Sequence, residues 1–123
     1  MTAQVYENGQ RLALGAPATS VHWIGETALF ALGDGCVRTA GRDTSLSAPV
    51  QAHDGAVLSA CVHPDGKRLV TGGDDGRLAL TSTTGETETL AELGKWIDHL
   101  VASPVSGVLV ASAGKQAIVF REG

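Results

Sequence analysis

His53, Thr71 and Asp75 are the residue types of an activated hydroxyl nucleophile. In such a site an imidazole takes the hydroxyl proton, and a carboxylate holds the imidazole in the right tautomer. Ser59 is an alternative nucleophile in the same stretch. The competing reading is that a histidine, a hydroxyl and an aspartate between a loop and a turn satisfy one another as buried polar groups. The choice between them depends on the elements that carry these side chains.

Other reactive residues offer less. His22, His53, His63 and His99 show no HxH or HExxH spacing, so no metal site is expected. His22 and Glu26 are four apart but flank a predicted turn, so no helix sets them on one face. The stretch GGDDG at 72–76 lacks the lysine and the helix of a phosphate-binding loop. Asp74 and Asp75 lack the spaced carboxylates and terminal Glu of a calcium loop. There is no GxSxG elbow. Cys36 and Cys61 form no CxxC and no disulfide framework, and read as small buried thiols in a reducing compartment. The expectation is a non-enzymatic protein without metal or cofactor, cytoplasmic by default.

Charge narrows the partners. The 123 residues hold 9 Lys and Arg against 13 Asp and Glu, for a net charge of -4. The basic residues are scattered apart from Lys67-Arg68, so no patch neutralises several phosphates. Nucleic acid and anionic membrane surfaces are not expected partners. The start MTAQVYENGQ lacks the basic and apolar regions of a secretory signal, and apolar runs such as 108–111 are too short to span a bilayer.

The elements come from an internal repeat. Shifted by about 41 residues, SVHWIGETALFALGDG (20–35) falls on CVHPDGKRLVTGGDDG (61–76) without a gap. Shifted by about 40, PDGKRLVTG (64–72) falls on PVSGVLVAS (104–112), and beyond it Leu78 meets Ile118 and Leu80 meets Phe120. His22 and His63 take the same repeat position, which makes them structural equivalents and not a site. Period-2 patterning predicts strands in the second unit at 56–62, 67–72, 77–82 and 86–90, with turns at Pro64-Asp65-Gly66 and Asp74-Asp75-Gly76. ETETLAELGKW comes nearest to a helical pattern, but its Thr-rich start argues for a strand. The fold class is all-β, built of four-stranded units.

Residues 53–85 resemble a WD40 repeat. His53-Asp54-Gly55 sits where that family has its Gly-His loop, HPDGKRLVTGGDDG is similar to its strand-turn-strand core, and RLAL at 77–80 stands at its third strand. The resemblance implies a β-propeller of about three blades. It also implies a buried hydrogen-bond network of His53, Thr71 and Asp75, normally completed by a Trp. That Trp position holds Thr81, so the repeats are degenerate and apolar packing must carry more of their cohesion.

The phase of the repeat gives residues 1–15 as an outer closing strand, 16–52 as blade 1, 53–92 as blade 2 and 93–123 as blade 3 without its outer strand. Three blades cannot close a ring, because propellers have 4 to 8. Either copies of the chain assemble, or further blades of a parent chain complete it. The expected function is a scaffold for a protein or peptide partner. The alternative is a propeller enzyme or small-ligand binder with its site in the closed ring's channel. Blade-joining loops and second-to-third-strand turns should share one face, which makes Trp96, Lys95, Asp54 and Asp74 candidate contacts. Trp96 would otherwise pack between adjacent blades. Trp23, which replaces the turn proline on the opposite face, is a further candidate. Arg38, Arg77 and Arg121 fall on third strands and should decorate blade sides.

Overall fold

The structure is a computed structural model that describes residues 9–121. Among these residues there is no helix, and eleven strands form three antiparallel sheets. The first sheet holds β1 (Ala18–Ile24), β2 (Thr27–Leu32), β3 (Cys36–Ala40) and the two-residue β4 (Val50–Gln51) in that order. The second holds β5 (Val57–Val62), β6 (Arg68–Gly73), β7 (Arg77–Ser82) and β8 (Thr87–Glu92). The third holds β9 (Ile97–Ser103), β10 (Val108–Ala113) and β11 (Gln116–Arg121). The Thr-rich segment is the strand β8 and not a helix. Residues 1–8 of the expected closing strand lie outside the described residues, and 9–15 adopt no strand.

Strict alternation sends successive side chains to opposite faces of each blade. In β6, Leu69 joins one core and Val70 the other. The first core lies between blades 1 and 2 and contains Leu29, Ala31, Val37, Ala52, Val57, Leu69 and Ala79. The second lies between blades 2 and 3 and is built on Val70, Leu78, Leu80, Ile97, Leu109 and Ala111. Each fully buried Leu contributes about 1.5–3 kcal/mol over an exposed one. The innermost strands β1, β5 and β9 adjoin one another along the arc, so blade 2 alone is covered on both faces by other blades.

The second-to-third-strand turns use one device twice. Asp34 Oδ1 accepts the backbone N–H of Cys36 at 3.0 Å, and Asp75 Oδ1 accepts that of Arg77 at 3.0 Å. The residue between carries a positive φ, +90° at Gly35 and +80° at Gly76, which a side chain would resist. These turns hold the loops around which the candidate residues gather.

Candidate functional site

His53 is 1% exposed and Thr71 fully buried at the junction of blades 1 and 2. His53 Nε2 lies 2.7 Å from Thr71 Oγ1, and Nδ1 lies 3.0 Å from Asp75 Oδ1. Asp75 Oδ2 also accepts the backbone N–H of Asp54 at 3.0 Å. Burial by itself would raise the Asp75 carboxyl. The N–H of Arg77, then the His53 ring and the N–H of Asp54, together hold it below the ordinary carboxylate value. Each hydrogen-bonding atom of the His53 ring is thus turned to a protein partner. The arrangement pins the 53–55 loop onto the hairpin turn of blade 2 and presents no open hydroxyl to a substrate. Ser59, the other candidate nucleophile, donates instead to the carbonyl of Ile97 at 2.7 Å and ties β5 to blade 3.

Gly73 makes room for this lock. A Cβ there would lie 2.5 Å from His53 Nδ1 and 2.6 Å from Asp75 Oδ1. Sequence reasoning passed over Gly73, yet a signal was present. Shifted by about 40 residues, Gly73 becomes Ala113 where His53 becomes Leu93, Thr71 becomes Ala111 and Asp75 becomes Lys115. Leu93, Ala111 and Ala113 all pack in the second core, so the buried histidine and hydroxyl have been exchanged for apolar groups and the aspartate for the exposed Lys115.

Above the lock, the loops converge on one face. The blade 1–2 loop reaches both neighbouring hairpins, because Gly35 sits under the carbonyls of His53 and Gly55, and Gly55 sits under Asp74. The blade 2–3 loop does the same: Gly76 lies under Gly94 and Lys95, and the Lys95 stem crosses Gly114. Asp54, Asp74, Lys95 and Trp96 are thereby brought to the same end of the arc. Arg77 Nη2 meets Asp54 Oδ2 at 2.9 Å and Arg77 Nε meets Glu92 Oε1 at 3.4 Å, an exposed network that sequence reasoning did not assign. Trp96 is 66% exposed, while its neighbour Ile97 is buried and fills the blade junction. Trp23 is 70% exposed and lies at the other end, beside the turn that follows β1.

Between the far ends of β1, β5 and β9 lies a concavity of about 670 Å³, lined mainly by apolar groups such as Ile24, Val62, Leu100 and Pro104, with His22 and His63 among them. Cys61 also lines it, and burial pushes its thiol up to about 11, which keeps it protonated at neutral pH. Among the described residues no group of three or more His, Cys, Asp or Glu could hold a metal ion. No helix there is long and apolar enough to cross a membrane.

Comparison with known proteins bears on this geometry. The family model described as WD domain, G-beta repeat matches residues 44–81. The match opens just before β4, the outer strand of blade 1, and closes in β7, the third strand of blade 2, so the sequence repeat spans the junction that His53 locks. Among curated proteins, "Intraflagellar transport protein 80 homolog" of Mus musculus is 39% identical over 71 residues, covering 57% of this chain and 9% of the relative. The protein of the same name from Rattus norvegicus matches equally, at 39% over 71 residues and the same shares of each chain. This chain therefore spans about a tenth of the length of these relatives. Residues 44–81 match a WD40 repeat, and the antiparallel sheets of three or four strands are consistent with blades of that kind.

Proposed function

We propose that this chain is a non-enzymatic WD40-like scaffold whose face at Asp54, Asp74, Lys95 and Trp96 binds a protein or peptide partner. The observation that carries the reading is the exposure of Trp96 on a face held rigid by the His53 lock. A large aromatic ring on a fixed support is the composition of an interface hot spot. The second tryptophan, Trp23, offers a contact at the opposite end. The names of the relatives refer to intraflagellar transport, which is compatible with a role in binding other proteins. The acidic balance of the chain favours partners other than nucleic acid or anionic lipid.

The arc needs blades beyond its own three, supplied by other copies or by a parent chain. Light scattering behind a sizing column reads this directly: a dimer means two arcs completing one ring, and a monomer points to further blades elsewhere. For the partner face, crosslinking through position 96 in the native source should capture a defined protein that Trp96→Ala no longer retains. Retention of every partner by both Trp96→Ala and Trp23→Ala, together with turnover of a substrate by the assembled protein, would overturn the scaffold. The alternative, a small-ligand site in the channel, draws on the 670 Å³ concavity. Its mainly apolar lining supplies few convergent polar groups and favours the scaffold.

A further inference from the structure

Two hydroxyls in the chain follow an arginine by three residues: Ser45 after Arg42, and Thr71 after Arg68. A guanidinium at that spacing suits a protein kinase with an acidic substrate groove, because it pairs bidentately with carboxylates. The structure separates the two. Thr71 is fully buried in the lock and bonded to His53. Ser45 is exposed in the loop 41–49 that joins β3 to β4, with Leu46 after it.

The base of this loop is tied to blade 1. Leu46 bridges Ala40, the Ser47 N–H donates to the Thr39 carbonyl at 2.8 Å, and Ser47 Oγ accepts the Thr39 N–H at 2.8 Å. At the tip the Thr44 hydroxyl is taken by the Asp43 carbonyl at 2.6 Å and Gln10 Oε1 at 2.9 Å. Ser45 bonds through its backbone N–H, which donates to Asp43 Oδ1 at 3.0 Å, and among the described residues no bond takes its hydroxyl. Thr44 stands at a φ of 60°, a strained value for a β-branched residue. Beyond the loop, β4 adds two pairs, Cys36 with Gln51 and Val37 with Val50. Such a tip lies at the low-stability end of the fold and opens without unfolding a blade.

We propose that Ser45 is a phosphorylation site for a serine/threonine kinase that selects arginine three residues before the hydroxyl, and that the phosphate takes Arg42 from Glu26. The Ser45 oxygen attacks the γ-phosphorus of ATP. The bond from that phosphorus to the bridging oxygen breaks, ADP leaves, and the hydroxyl proton passes to the kinase's catalytic aspartate. The product carries a charge of about −1.5 to −2. It stands two residues from the Asp43 carboxylate that holds the Ser45 N–H, and like-charge repulsion loosens that turn. In the unmodified chain Arg42 pairs with Glu26 Oε1 at 3.4 Å, across exposed surface where such a pair is weak. A phosphate is the stronger bidentate acceptor, so the guanidinium turns to it. Arg42 and Glu26 bound a hollow of about 450 Å³ beside Trp23, with Thr44 on another wall. Moving Arg42 changes the shape and charge of the surface at Trp23, which makes the modification a regulator of contacts made there. The inference goes beyond the scaffold reading and stands apart from the loop face at Trp96.

The test incubates the full chain with ATP and activated calmodulin-dependent protein kinase, and locates phosphate by tandem mass spectrometry. One phosphate should enter, at Ser45, and Arg42→Ala, an exposed change, should lower kcat/KM roughly tenfold. Trp96→Phe leaves Trp23 as the sole tryptophan, whose emission should shift on phosphorylation. Glu26→Gln weakens the hold on Arg42 beforehand and should lessen that shift, while Ser45→Ala should show neither phosphate nor shift. Phosphate at Thr44 or Thr71 in place of Ser45, no incorporation, or equal rates with and without Arg42 overturns the site. A phosphorylated chain with unchanged Trp23 emission overturns the transfer of Arg42. Loss of partner retention in Trp96→Ala is read separately and is moved by none of these outcomes.

Discussion

Blades 2 and 3 share a strand plan and differ in what surrounds them. Blade 2 lies between two neighbours, carries a charged and bulged outer strand, and is pinned by His53, Thr71 and Asp75. Blade 3 has Leu93, Ala111 and Lys115 in the corresponding places and, among the described residues, packs against another blade on one face only. The difference teaches that the polar lock is a unit exchanged whole. A buried hydroxyl without its imidazole costs about 1–3 kcal/mol, whereas replacing both partners by apolar groups is close to neutral. Losing one member alone is the expensive change, and neither blade shows it.

The comparison breaks most visibly in the cores. Leu78→Ala, at the centre of the second core, should cost roughly 2–5 kcal/mol in denaturant melts. Val119→Ala, on the open face of blade 3, should stay within about 0.5 kcal/mol. Equal effects would mean that the open face is covered in solution. Next in size is Gly73→Ala, which drives a methyl against His53 and should cost roughly 1–3 kcal/mol. In a His53→Leu, Thr71→Ala, Asp75→Lys background, which imitates blade 3, most of that penalty should vanish. The double-mutant coupling between His53 and Thr71 should fall at about 0.5–3 kcal/mol, and a value near zero would show that the lock is not one unit.

Acid sharpens the same contrast. Asp75 is held below its ordinary carboxylate value in the folded chain, so its contribution is fully present above about pH 4 and is lost as pH falls through the depressed value. Asp65 is held low as well: burial would raise it, and the N–H of Lys67 and the Arg68 guanidinium outweigh that. Stability measured from pH 6 to pH 2 should therefore fall more steeply in the native chain than in Asp75→Asn, and parallel curves would place the acid sensitivity elsewhere. The smallest effect on folding is expected at Trp96→Ala, within about 0.5 kcal/mol, because the ring covers no core. A larger loss would make Trp96 a packing residue.

Much of the architecture was legible in the chain. Strands β5 to β8 follow the period-2 runs, and the turns follow Pro64-Asp65-Gly66 and Asp74-Asp75-Gly76, because backbone preference and side-chain alternation act over a few residues. Pairing within the lock was readable only through the WD40 resemblance, since His53 and Asp75 are brought together by a loop folding over a turn. Trp96 was not decidable in advance: one residue separates its exposed ring from the buried Ile97, and a shift of one position along a strand inverts every face.

By itself, then, the sequence determined an all-β chain of roughly 40-residue units, where each unit turns, and which unit carries the histidine lock. Those features rest on local sterics, period and residue type. The tertiary structure decided that Gly73 must be bare, and that Ile97 and not Trp96 fills the blade junction. Burial and close approach are properties of neighbours distant in the chain, and no local pattern encodes them.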